Sequence, residues 1–396
     1  MKVPGAIPNR FRFAALAILG FAAVTARGAD HAARIDGPLH TDGRAIRDRS
    51  GREVILAGVN SSGMEWGAGE PWTDGHCEGL RDDRHLGCYA VENAPGDEEW
   101  RQIDSPGFNS IRLPIAWANL EPEPPTLRGR AVEHHWNEDY LRALDGIVEA
   151  CQRHHLAVIL SMHQWAWSPA LRPEGKNANL TGHGNGFPAW LYRKNTNQIE
   201  ARREFFKNAR MVLPGYSIQE ALADAWTRVA SRYRGRTCVV GADLLNEPYL
   251  AMEGEPKADR IPLDDLFERL GQSVHRANSE LLLIVQDDPP ATPITRRPAL
   301  PNLVYSIHLY PKKWDARAAA KLTASVARGA KWNAPLWVGE FDMIGGGNAQ
   351  ETEAMLKAFR ENRVGWAYWA YSRASKPLRD GARLRTDRVQ VLQQGF

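Results

Sequence analysis

The sequence predicts a single (β/α)8 barrel with a short amino-terminal β-hairpin. Three observations lead there: eight short apolar runs, helical periodicity between most of them, and polar residues closing the runs at one end. The runs are Val54 to Gly58, Ser110 to Pro114, Ala157 to His163, Val239 to Asn246, Leu281 to Gln286, Leu303 to His308, Leu336 to Glu340 and Val364 to Tyr368. The intervening "EDYLRALDGIVEACQRHH", "IQEALADAWTRVASRYRG", "LDDLFERLGQSVHRAN" and "NAQETEAMLKAFRENR" carry apolar residues at helical spacing. Strands covered on both faces and alternating with helices imply a parallel sheet, and eight such units imply a closed barrel. No glycine-rich dinucleotide fingerprint follows any run, which argues against an open doubly wound sheet.

Ahead of the first run, "LHTDGRAIRDRSGREVILAG" alternates turn residues with short apolar segments, the pattern of a hairpin leading into the barrel. Earlier still, Lys2, Arg10 and Arg12 precede "FAALAILGFAAVTA", which ends in small residues near Ala26 to Ala29. Residues 1–29 are therefore expected to be a secretory signal, since the apolar run is shorter than the roughly 20 residues of a spanning helix. Residues 30–396 are expected to form one barrel domain, secreted or periplasmic, monomeric and without stable membrane insertion.

The chain has 396 residues, and such length still suits one barrel domain. Its 50 basic and 47 acidic residues nearly balance at +3, with no basic run, so nucleic acid is not an expected partner. The 14 tryptophans suggest stacking on flat apolar faces. In an oxidising compartment cysteines tend to pair, and Cys77 and Cys88, close together in "GHCEGLRDDRHLGCY", are expected to form a disulfide. Cys151 and Cys238 each precede an apolar run, and the sequence leaves open whether they pair. No cysteine or histidine pair has zinc-site spacing, and no metal is expected.

In a barrel, chemistry gathers at the carboxyl ends of the strands. Here those ends carry Arg112 in "NSIRLP", His163 in "VILSMH", Asn246 and Glu247 in "LLNEPY", His308 and Tyr310 in "YSIHLY", Glu340 in "LWVGE" and Trp369 in "WAYWAYS". Taken singly each has an ordinary structural explanation. Together they do not, because buried glutamates are costly unless paired, and two share this rim with an arginine and two histidines. Two carboxylates facing each other beside an aromatic platform suit cleavage of a glycosidic bond. The long connection from Gln164 to Ser217 adds Trp165, Trp167 and Trp190 as possible cleft aromatics.

In the order and strand-end position of these residues, the chain resembles the family 5 glycoside hydrolases, the cellulase-like members of the retaining (β/α)8 clan. The resemblance runs from about Gly58 to Trp369 and implies Glu247 as general acid/base and Glu340 as nucleophile. It implies further that Arg112 and Tyr310 hydrogen-bond the nucleophile and keep it ionised. Asn246 and His163 would hold sugar hydroxyls, His308 would stand beside the acid/base, and Trp369 would lie under the sugar. It implies no cofactor. The implied activity is endo-acting hydrolysis of a β-1,4-glucan such as cellulose, with β-mannan or a glycosylceramide-type glycolipid as alternatives. "WAW" at 165–167 and Phe187 would suit a lipid tail as well as a sugar. A carbohydrate-binding protein without turnover would more naturally lack one of the two glutamates, and both are present. A purely structural protein would leave the rim residues without a purpose.

Overall fold

The computed structural model describes residues 35, 37–66, 97–104, 107–165, 167–168, 170–171, 185–192, 196, 198–248, 261–287, 294–344, 348–371, 378–380 and 383–396. Cys77, Cys88 and the signal segment lie outside the described residues. Eight parallel strands close into a barrel: β1 (Ala57–Ser61), β2 (Ser110–Ile115), β3 (Ala157–Met162), β4 (Val239–Asp243), β5 (Leu282–Gln286), β6 (Leu303–Leu309), β7 (Leu336–Phe341) and β8 (Gly365–Tyr371). Each pairs with its neighbour in sequence, and β8 pairs with β1 to complete the ring. All eight expected runs contain strands, several of them with ends that differ from the expected ones. The first begins at Ala57 rather than Val54, because Val54 and Leu56 pack with the residues that close the barrel floor.

The wall sorts its side chains by the two-residue period of a strand. Ile111, Leu113, Val158, Leu160, Leu283, Val285, Tyr305 and Ile307 join the large core between sheet and helices. The alternate positions Ala157, Ile159, Leu282, Ile284, Val304, Trp337 and Ala367 form a second, smaller cluster inside the barrel. Leu39 and Ile46, from the hairpin of strands His40–Asp42 and Ala45–Arg47, join that inner cluster with Val54 and Leu56. The hairpin therefore plugs the amino-terminal end, as its sequence pattern indicated.

Outside lie α1 (Asp97–Asp104), α2 (Glu138–Arg153), α3 (Ile218–Arg232), α4 (Asp264–Ala277), α5 (Ala316–Trp332), α6 (Ala349–Glu361) and α7 (Thr386–Gln393). Their starts follow capping chemistry. Asn137 accepts from the Tyr140 N–H, Ser217 and Glu220 form a capping box, and Asp315 accepts from the N–H groups of Arg317 and Ala318. Between β5 and β6 the described residues contain no helix. No described helix is long and apolar enough to cross a membrane. Cys151 and Cys238 are free thiols, and burial pushes both upward in pKa, which makes them poor nucleophiles.

Gly58 shows how tightly the first strand is held. A Cβ built there would lie 1.7 Å from the carbonyl oxygen of Ser110 on β2. Gly58→Ala must force the two strands apart, and we expect a loss of about 3 kcal/mol or more, the upper part of the overpacking range. Denaturant unfolding of the variant checks this, and a midpoint equal to wild type would contradict the account.

Candidate active site

Inside the barrel, polarity rises from floor to mouth. Above the apolar layer of Ile159 and Ile284, the same strand faces continue with Ser161, Asp243 and Gln286, and then with His163 and His308. Arg112 reaches this layer from β2 and is fully buried. Its five N–H donors all have acceptors. Nε and Nη2 donate to Asp243 Oδ2 at 2.8 and 2.7 Å, and Nη2 also donates to Asn246 Oδ1 at 2.6 Å. Nη1 donates to Asn60 Oδ1 at 2.9 Å and to Glu340 Oε1 at 2.5 Å. Burial opposes the charge on Arg112, but Asp243 and then Glu340 outweigh it, so its pKa moves up.

Glu340 takes a second donor on its other oxygen, the Tyr310 hydroxyl at 2.7 Å, and His308 Nδ1 stands 3.4 Å from that oxygen. Tyr310 retains its proton, because burial and the Glu340 and Glu247 carboxylates push its pKa well above the usual value. Arg112 and Tyr310 by themselves would favour an ionised Glu340. His308, Arg112 and Tyr310 do draw its pKa down, yet burial outweighs them, with Glu247 acting in the same sense, and it sits above the ordinary glutamate value. The distinction between the two glutamates therefore rests on bonding and access. Both oxygens of Glu340 face donors and its side chain is 5% exposed, whereas Glu247 meets His308 Nδ1 at 2.7 Å and is 15% exposed.

Glu247 is aimed by an uncommon backbone conformation. Its φ is +39°, a left-handed value that costs a non-glycine residue roughly 1 to 2 kcal/mol. Two glutamines hold that turn. Gln286 Oε1 accepts from the Glu247 N–H at 2.8 Å, and Gln164 Nε2 donates to the carbonyls of Asn246 and Glu247 at 3.1 and 2.8 Å. Asn246 Nδ2 returns a bond to the Gln164 carbonyl at 3.1 Å. One oxygen of Glu247, one of Glu340 and a ring nitrogen of His308 consequently lie within 4.8 Å of one another. The Arg112 guanidinium already supplies the positive charge at this cluster, so the arrangement suits proton and carboxylate chemistry rather than a metal.

His163 and Trp369 stack with ring centroids 5.7 Å apart. Burial, then the Arg112 charge, lowers the His163 pKa to about 3, so the ring is neutral. Its Nδ1 is bonded to Asn185 Oδ1 at 3.2 Å, and Nε2 is 3.9 Å from Glu340 Oε1. With Nδ1 donating to Asn185 Oδ1, Nε2 is the acceptor.

The long connection after β3 behaves differently from its expected role in one respect. Trp167 is not a cleft aromatic: it is fully buried, stacked on Phe187 at 4.0 Å and surrounded by Phe205 and Phe206. An apolar cluster of that size packs behind the rim and holds the connection in place. Phe187, 2% exposed, belongs to it too, so neither residue offers a face to a lipid tail. Trp190 is half-buried, edge-on to Trp117, with its N–H on the Glu121 carbonyl. Trp165 is half-buried and lies 6.2 Å from Trp66, which follows β1.

Sequence reasoning missed several groups. Asn60 ties β1 to the Gly339, Ala367 and Tyr368 carbonyls, and Asp243, Gln164 and Gln286 hold Arg112 and the Glu247 turn. The signal for Asn60, Asp243 and Gln286 was their place on the inward-facing period of strand ends, whereas Gln164, past the end of β3 and off that period, carried none. Glu65, also missed, is a further buried carboxyl that accepts from the Ser62 hydroxyl and the Gly63 N–H. Burial raises its pKa to about 7, with Glu340 contributing in the same direction.

A closed parallel barrel with two glutamates across its mouth, one held by an arginine and a tyrosine, defines a barrel of the two-carboxylate class. The chain belongs to glycosyl hydrolase family 5: residues 84–375 match the family's model, described as cellulase. Endoglycoceramidase I of Rhodococcus hoagii (strain 103S) is 29% identical over 233 residues, 53% of this chain and 37% of that protein. An endoglucanase of Paenibacillus polymyxa is 25% identical over 256 residues, 63% of this chain and 49% of its own length. The chain thus spans half or less of these two curated relatives. Among solved structures, an endogalactoceramidase superposes with a TM-score of 0.69 at 22% identity, covering 90% of this chain and 84% of the other. Endo-glycoceramidase II from Rhodococcus sp., in a ganglioside GM3 complex, gives 0.62 at 21% identity over 89% and 81%. At such identities these structures bear on the fold alone.

Two outcomes follow for stability. Gln286 is 3% exposed, and Gln286→Leu strips the Glu247 N–H of its acceptor, which should cost about 1 to 3 kcal/mol in urea unfolding. A change below about 0.5 kcal/mol would mean the turn holds itself. Glu65 gains its stability in the protonated form, so that contribution is complete below pH 4.5 and is lost as pH rises through about 7. Its full size is about 3 kcal/mol. Glu65→Gln should flatten that part of the stability profile between pH 5 and 8, and an unchanged slope would rule out Glu65 as its source.

Proposed function

We propose that the chain is a retaining β-glycosidase working by double displacement, with Glu340 as nucleophile and Glu247 as acid/base. The single observation that carries this reading is the 4.8 Å limit on the separation of the Glu247, His308 and Glu340 atoms. Inverting hydrolysis needs carboxyl groups roughly 6.5 to 9.5 Å apart to admit a water, whereas retention needs about 5 to 5.5 Å for direct attack. In the first step a Glu340 oxygen bonds the anomeric carbon as the leaving-group bond breaks, and Glu247 passes its proton to the departing oxygen. In the second, Glu247 takes a proton from water as the water oxygen displaces Glu340 and restores its carboxylate. Arg112 and Tyr310 hold Glu340 in line for attack. In this reading neutral His163 and Asn246 bind sugar hydroxyls, Trp369 underlies the ring, and Trp165 with Trp66 extends the sugar-binding rim.

For the substrate we favour the β-linked sugar of a glycosylceramide-type glycolipid, supported by the 29% identity to endoglycoceramidase I. A β-1,4-glucan is the second reading, supported by the endoglucanase relatives. Purified protein incubated with cello-oligosaccharides, mixed-linkage glucan, mannan, xylan and a glycosylceramide separates them, and cleavage of none would end the enzyme reading. The same reading includes export, with a mature amino terminus near residues 26–30, which mass spectrometry of secreted protein checks.

Glu340→Ala should be nearly inactive on every substrate. Glu247→Ala should still form the glycosyl-enzyme from substrates with an activated leaving group, and azide should restore turnover as a β-glycosyl azide. An inverted product from wild type, or the opposite azide pattern, with the β-glycosyl azide coming from Glu340→Ala and not from Glu247→Ala, would overturn the mechanism or the assignment.

A further inference from the structure

We propose that Asp243 is a positioning residue: by claiming one edge of the Arg112 guanidinium, it sets how much of that group's positive charge reaches Glu340. The inference rests on the reading of Glu340 as nucleophile.

Asp243 ends β4 and is 1% exposed. Its bonding is concentrated on one oxygen. Oδ2 accepts from Arg112 Nε and Nη2 and from the Ser161 hydroxyl, the last at 2.8 Å, while among the described residues Oδ1 has no hydrogen-bond partner. Arg112 therefore lies between two carboxylates, Asp243 below and Glu340 above, both on buried side chains. A guanidinium is planar, so fixing its Nε and Nη2 edge on Asp243 also fixes where Nη1 points. Nη1 is the nitrogen that meets Glu340.

Charge follows the same geometry. A carboxylate paired with an unshared cation is a weak base and a poor nucleophile, and one that shares the cation with a second carboxylate is better at both. Asp243 is that second carboxylate. The other groups facing Glu340 are Tyr310, His308, Glu247, His163 and Glu65, and none of them bonds Asp243. Ser161 acts on Asp243 from the far side. Its hydroxyl draws charge from the oxygen that holds Arg112, so removing it should strengthen the Asp243–Arg112 pair and weaken the hold on Glu340.

The two changes thus move Glu340 in opposite directions, which a merely structural role would not produce. Asp243→Asn preserves shape and removes charge. We expect Glu340, followed by carboxyl-13C NMR with Glu340→Gln as the assignment control, to titrate about one pH unit lower. The acid limb of kcat/KM should follow, with kcat reduced about tenfold. Ser161→Ala should raise the Glu340 titration by a few tenths of a unit, a small displacement from losing one neutral hydrogen bond. Unchanged titration in both variants, or shifts of the same sign, overturns the proposal. Should Asp243→Asn fail to fold by circular dichroism, the upward shift in Ser161→Ala decides alone, and its absence is a refutation. The titration needs no substrate, so opposite shifts in a protein that cleaves no β-glycoside would uphold the positioning role and reject the glycosidase reading.

Discussion

The buried guanidinium of Arg112 is the constraint on which the site depends. A cation in the middle of a barrel is strongly disfavoured unless it is paired and fully hydrogen-bonded, and here all five donors find acceptors on β1, β4, β7 and the turn after β4. Each acceptor is thereby held in place. Breaking such a network by deleting one charge commonly costs about 3 to 5 kcal/mol, because the partner is left buried and uncompensated. The arrangement is thus weak evidence of stabilisation overall and strong evidence of fixed geometry.

That geometry is what separates two glutamates of identical chemistry. Glu340 sits where β7 shifts register against both its neighbours and points into the network, so donors reach both its oxygens. Glu247 follows the end of β4, on a turn with positive φ that two glutamine side chains brace. Its neighbour is the ring of His308, and its side chain is the more exposed of the two. Placing strain beside a pair of facing carboxyls and bracing it from neighbouring strands is a common way for a barrel to pre-organise a site. Burial that pushes Glu340 toward its neutral form is opposed by His308 and Arg112.

Behind this rim, the tryptophan-rich connection after β3 acts partly as structure. Trp167, Phe187, Phe205 and Phe206 form a dry aromatic cluster, with the Arg202 guanidinium 5.9 Å from the Trp167 ring centroid. This anchors the segment carrying Asn185, which in turn holds His163. A composition rich in aromatics thus served two purposes that the sequence does not distinguish, because a ring that packs and a ring that stacks on a sugar are the same residue.

The sequence by itself determined the architecture and the identity of the rim. Eight apolar runs with helices between most of them leave few folds other than a closed parallel barrel, and the two-residue period places Arg112, His163 and His308 on the inner face, whereas Glu340 turns inward only through a register shift in β7. Local patterns suffice for this because strand burial and helix amphipathicity are local periodicities. Tertiary structure alone decided the rest. Asp243 is one more residue of a strand run until β2 brings Arg112 onto it, and Gln164 in the connection after β3 and Gln286 at the end of β5 become braces only where they meet the Glu247 backbone. The same holds for the carboxyls: the effect of burial on Glu340 and Glu65 depends on what closes over them, and this is assembled from segments far apart in the chain. Pairings across a barrel are set by strand register and closure, which no stretch of residues contains.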